Sequence, residues 1–131
     1  MVRAKLDDPV IATARDAALL FGPILAAAPG ERLLVAYLDA GRGLLRLTAV
    51  GGGADEVKLP VRGIVEEALR EGARGLVLAH NHPSGDPLPS EADRDGTRRL
   101  AESAGAMGLV LHDHLIVAGG EWVSFRALGL L

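Results

Sequence analysis

His80 and His82 close a short apolar run, residues 76–79 (LVLA), that reads as a strand. Alternation along a strand puts residues i and i+2 on the same side, so both imidazoles can face one ion. Asp93 lies beyond a loop rich in proline, residues 83–89 (PSGDPLP), where the next helix begins and a carboxylate can swing back. Zinc takes neutral imidazole nitrogens and carboxylate oxygens at about 2.0–2.2 Å, and three protein ligands leave a fourth tetrahedral position for water. Zinc lowers the pKa of such a water to about 7, which supplies hydroxide at neutral pH. Hydrolysis of a peptide bond also needs a base for the water's proton, a task suited to a Glu outside the ligand set. It needs a donor for the developing oxyanion as well. Ser90, one helical turn before Asp93, is placed to be that donor.

Taken singly, each of these residues has a plainer explanation. A histidine at a strand end is an ordinary polar terminus, and Ser-x-x-Asp is an ordinary helix cap. Their combination at fixed spacing points to a metal site. The second pair, His112-Asp113-His114, does not read as another one, although His114 can stand behind the first metal as support. Two other features carry no chemistry. Gly51-Gly52-Gly53 lacks the strand-to-helix setting of a phosphate cradle, and Arg94, Arg98 and Arg99 share their helix with Glu91, Asp95 and Glu102, as on a solvated face.

The chain around these residues has 131 residues, enough for one domain with a real core. Its 49% apolar and 24% charged residues suit a globular protein, while 3% aromatics leave few platforms for stacking nucleobases. The formal net charge of −3 argues against a nucleic-acid-binding face. Without cysteine there is neither a disulfide framework nor a thiolate zinc site. The start of the chain lacks the layout of a secretion signal. Its apolar stretch, residues 17–28, is broken by Gly22-Pro23 and falls short of the roughly 20 residues that span a bilayer. A cytoplasmic protein, not tied to a membrane, is expected.

The elements that must position the site follow from patterning. Thr13-Ala-Arg-Asp16 opens a first helix that ends before Pro29-Gly30. Residues 31–38 (ERLLVAYL) and 44–50 (LLRLTAV) read as paired strands, and a third short strand is expected over residues 56–59. Residues 61–71 have helical spacing with Ile64, Val65, Ala68 and Leu69 on one face. Ser90 caps a helix running to about Ala104, with Gly105 as its stop. Residues 109–117 and 121–125 form a terminal hairpin across Ala118-Gly119-Gly120. The order predicts a mixed α/β fold, one mixed central sheet flanked by helices, in a single domain over residues 1–131.

His80-Asn-His82-Pro83, Ser90 and Asp93 reproduce His-x-His-Pro-x6-Ser-x2-Asp, the motif of the JAMM (JAB/MPN) metallopeptidases. The wider wording, HNHPSGDPLPS and later DHLIV, resembles the RadC-like branch of that superfamily from residue 31 to residue 131. The resemblance implies a JAB/MPN fold, related in layout to cytidine deaminases, and a Zn2+-dependent peptidase or isopeptidase activity. It implies that Glu31, opening the first strand, is the catalytic acid/base; Glu56 is the competing carboxylate and has no motif behind it. Two departures stand out. Residues 1–30 leave room for a helical lead-in but not for the helix-hairpin-helix segment of full-length relatives, and Pro60-Val-Arg62-Gly63 stands where relatives carry Pro-Arg-Glu. The expected partner is a peptide or isopeptide substrate; DNA is not expected as a partner of this chain alone, and pairing of edge strands into a homodimer is an option. The alternatives to a hydrolase are a DNA-repair accessory domain acting by binding and an interaction module that keeps zinc for stability.

Overall fold

The computed structural model describes residues 9–51 and 59–131. The elements are α1 (Ala14–Ala26), β1 (Arg32–Leu38), β2 (Leu44–Gly51), α2 (Val61–Arg70), β3 (Gly75–Asn81), α3 (Glu91–Ala106), β4 (Val110–Ala118) and β5 (Glu121–Ser124). They build a mixed five-stranded sheet in the order β2-β1-β3-β4-β5. Only β3 and β4 run parallel, with α3 as the crossover between them; the other neighbours are antiparallel. The mixed α/β architecture read from the sequence is the one observed. The short strand expected over residues 56–59, and Glu56 with it, falls on residues outside those described apart from Leu59, which is in no strand.

Strand alternation sorts the core into two layers. Leu33, Val35 and Tyr37 of β1 and Leu76 and Leu78 of β3 pack against Ile64, Ala68 and Leu100 of α2 and α3. Leu34, Ala36, Leu38, Val77 and Ala79 face the other way, against Ala17, Phe21 and Leu25 of α1. β3 is buried along its whole length, as a central strand covered on both faces should be. Counting on by twos from Leu76 and Leu78 puts His80 on the α3 face, and the site is built there.

The element ends carry their own signals. Thr13 and Asp16 form a complete capping box at the start of α1, as their spacing predicts. α2 begins on Pro60 with no side-chain cap and no acid in its first turn, so the departure at residues 60–63 leaves that end uncapped. Gly105 lies inside α3; the turn out of the helix comes at Gly108, whose φ of 76° only glycine adopts without strain. Gly119 and Gly120 both have positive φ and close the β4–β5 hairpin.

One irregularity decides where a histidine points. Along β3 and β4, Leu76 pairs with Leu111 but Val77 pairs with Asp113, so His112 is an extra residue, a bulge. Leu109 and Leu111 face α2 and α3 before the bulge, and Leu115 faces α1 after it. The phase has flipped. His114 therefore lands on the α3 face, level with Leu78, whereas unbroken alternation would have sent it to the α1 face. The displaced His112 ring lies over Gly75, where an added Cβ would come within 2.4 Å of Nε2. Burial, with help from the Arg42 and Arg126 charges, holds the His112 imidazole below its ordinary pKa.

Gly75 is thus the space the bulge needs. Gly75→Ala should destabilise the protein by about 1–3 kcal/mol, as overpacking does, measured by denaturant unfolding. Adding His112→Ala to the same chain should recover most of that loss. If the two changes are simply additive, the ring is not what Gly75 accommodates.

Candidate metal centre

The C-terminal end of β3 delivers His80, Asn81 and His82, and the first turn of α3 delivers Asp93. His80 Nε2 lies 2.9 Å from His82 Nε2 and 3.4 Å from Asp93 Oδ1, and His82 Nε2 lies 3.1 Å from Asp93 Oδ2. Ligand atoms at about 2.0–2.1 Å from a tetrahedral zinc are separated by about 3.3 Å, so the spacing of the two nitrogens and the two carboxylate oxygens is close to what one ion requires. The loop after β3 sets the tautomer of His82. Its Nδ1 is 2.8 Å from the Asp86 carbonyl oxygen, which can only accept, so Nδ1 carries a proton and, in the neutral ring, Nε2 is the lone pair. A neutral imidazole nitrogen facing a second imidazole and a carboxylate has the arrangement that a cation between them would satisfy. The donor set fits a zinc ion.

Asp93 serves two ends. Ser90 Oγ accepts from the Asp93 backbone N–H at 3.0 Å, and Ser90 N–H donates to Asp93 Oδ2 at 2.8 Å, a complete capping box. Burial on its own would raise the Asp93 pKa. The neighbouring His80 imidazole, where no cation stands between the two, and the hydrogen bond from the Ser90 backbone outweigh burial, and the carboxyl is held well below its usual range. The cap that starts the helix also keeps the carboxylate ionised and aimed at the histidines. Ser90 itself is exposed at the rim, with its hydroxyl proton not used in the cap.

Glu31 sits one residue before β1, and a carboxylate oxygen of it lies within 4.8 Å of a ring nitrogen of both His80 and His82. The five residues singled out from sequence thus cluster at one end of the sheet. Sequence reasoning missed what holds Glu31 there. Asn81, pointing away from its two neighbours, accepts from Arg32 N–H at 2.7 Å and donates to the Gly30 carbonyl at 3.0 Å. It clamps the backbone on both sides of Glu31. No sequence signal gives a pairing across so long a separation.

Behind His80 lies His114, fully buried, its Nε2 2.7 Å from His80 Nδ1 and its Nδ1 2.7 Å from Thr97 Oγ1. Phe125 stacks on it at 4.6 Å. Burial first, and then the His80 charge, push the His114 pKa well below the ordinary value, so it is neutral. Asp113 secures this wall by accepting from Ser124 Oγ and from the backbone N–H groups of His114 and Arg126. His112 takes no part: it stays on the α1 side while the bulge turns His114 to the α3 face, so the two rings of the second His-x-His pair do not face one site.

Two hollows flank the histidines. One of about 410 Å³ lies on the α3 side and is lined by His80, Asp93, Thr97 and His114 together with Leu33 and Leu59. The other, about 650 Å³, lies on the α1 side, between His82, the β4–β5 turn and α1. Its walls include Pro83 and residues 117–122, and also Leu19 and Leu25 of α1. No helix among the described residues is long and apolar enough to cross a membrane.

A family model described as the RadC-like JAB domain matches residues 11–130. Among curated relatives, a UPF0758 protein of Rhodobacter capsulatus is 45% identical over 104 residues, covering 79% of this chain and 49% of the relative. Another of Salinibacter ruber is 37% identical over 117 residues, covering 88% and 50%. A third, of Bordetella petrii, is 43% identical over 112 residues, covering 85% and 50%. The chain spans about half the length of these relatives.

Proposed function

The chain belongs to the RadC-like JAB family, and on that footing we propose a zinc-dependent hydrolase of peptide or isopeptide bonds. His80, His82 and Asp93 hold the ion, Glu31 is the general base and Ser90 the oxyanion donor. The observation that carries this is the convergence of two Nε2 atoms and a carboxylate at 2.9 to 3.4 Å, with Glu31 beside them. Zinc in such a site supplies a Lewis acid and lowers the pKa of a water in its open position to about 7.

The chain's own groups do the rest. Glu31 is near enough to reach a water in front of the histidines directly, or through one more water, and to hand the proton to the leaving amine. Its neighbours Gly30 and Arg32 are held by Asn81, so the backbone that carries the Glu31 side chain is fixed in front of the histidines. The Ser90 hydroxyl is free to donate toward an oxyanion because its oxygen, not its proton, serves the cap. The groove beside His82, with Leu19 and Trp122 exposed on its walls, takes the apolar part of an extended peptide.

The test is hydrolysis of a peptide and of an isopeptide-linked substrate after chelation and after return of zinc. Cleavage should vanish with chelator and come back with the metal. A protein that binds zinc stoichiometrically yet cleaves neither would instead be a zinc-stabilised interaction module. Salt-sensitive DNA binding would favour the accessory-domain alternative.

A further inference from the structure

We propose that Thr97 and His114 are positioning residues that select the tautomer of His80 and so make it a metal ligand. The inference rests on the zinc reading above, and it follows hydrogen by hydrogen. Thr97 Oγ1 donates to the Asp93 backbone carbonyl at 2.7 Å. A hydroxyl has one proton, so the same oxygen must accept from His114, whose Nδ1 lies 2.7 Å away. His114 is then protonated on Nδ1 and bare on Nε2. That bare nitrogen, 2.7 Å from His80 Nδ1, accepts the His80 proton. His80 Nε2 is left as a lone pair aimed at His82 and Asp93.

The chain begins and ends on the same residue. The Asp93 carbonyl starts it and the Asp93 carboxylate stands beside the nitrogen it prepares. No group changes its charge along the way; each proton is only assigned to one end of its ring. Run in reverse, with Thr97 donating to His114, the chain would put the proton on His80 Nε2 and block it as a ligand. What favours the ligating direction is Thr97's bond back to the helix, together with a cation in front. The Phe125 ring, stacked on His114, and the bulge at His112 keep the relay in line.

Thr97→Val keeps the shape of the side chain and leaves every ligating atom in place, but it removes the oxygen that accepts from His114 and donates to the Asp93 carbonyl. Zinc binding would then strand a buried N–H, a full desolvation loss. Zinc affinity, measured by competition with a chelator, should fall at least tenfold for Thr97→Val, in the roughly 10–100-fold range of outer-shell changes, while Thr97→Ser stays near wild type. Imidazole nitrogen chemical shifts of zinc-loaded wild type should place the His114 proton on Nδ1. Wild-type affinity in Thr97→Val, equal losses in Val and Ser, or a His114 proton on Nε2 would overturn the relay. Wild type that binds no zinc would overturn the zinc reading instead, which separates the two failures.

Discussion

His82→Ala and Asp93→Ala are each expected to abolish stoichiometric zinc binding, where the wild type holds one ion per chain. Structural zinc sites with four protein ligands release about 10–16 kcal/mol on binding, which averages to roughly 3–4 kcal/mol per ligand. Here three side chains share the task, and losing one would cost two to three powers of ten in affinity. His82 loses more than a donor, because its Nδ1–H to the Asp86 carbonyl is what ties the loop to the site. Asp93→Ala removes the charge facing both imidazoles and the acceptor for the Ser90 N–H, which frays the first turn of α3. Elemental analysis of protein purified without chelators and then offered zinc decides it. Full occupancy in either variant would mean that the ion sits elsewhere.

What could be read from the sequence and what could not divide along a physical line. His80, His82, Ser90 and Asp93 were legible because local rules place them: period two at a strand end, and a capping box at a helix start. The buried run of β3 was legible for the same reason, since a short apolar stretch between glycine and histidine has few other homes. The support was not. Asn81 fills the variable position between two histidines, and its partners Gly30 and Arg32 are brought to it only when β1 pairs with β3. His114 was named as one option for backing the metal, yet unbroken alternation along β4 would have aimed it at α1. The extra residue at His112 reverses that, and a bulge leaves no mark in hydrophobic periodicity. Gly75, which makes the bulge possible, looks like any glycine after a helix. The end of α3 was misplaced because Gly105 and Gly108 offer the same letter, and only the backbone angle tells them apart.

Glu31→Gln should leave zinc bound and reduce hydrolysis by roughly 10²–10⁴-fold, the usual worth of a general base. The substitution keeps the size of the side chain and its hydrogen-bonding capacity, so it removes proton transfer and little else. Its effect should fall on kcat more than on KM, since a group that acts only on the transferring proton binds substrate no better in the ground state. Asn81 holds the backbone at Gly30 and Arg32, so the substitution leaves the segment that carries residue 31 in place. Metal content must be read on the same sample. The distance that lets Glu31 reach a water, within 4.8 Å of both histidines, would also let it serve as a ligand. Zinc lost with activity in Glu31→Gln would make it a ligand, and activity kept would return the base to another carboxylate, with Glu56→Gln the next variant to assay. Activity lost with zinc retained is the one result that assigns the proton to Glu31.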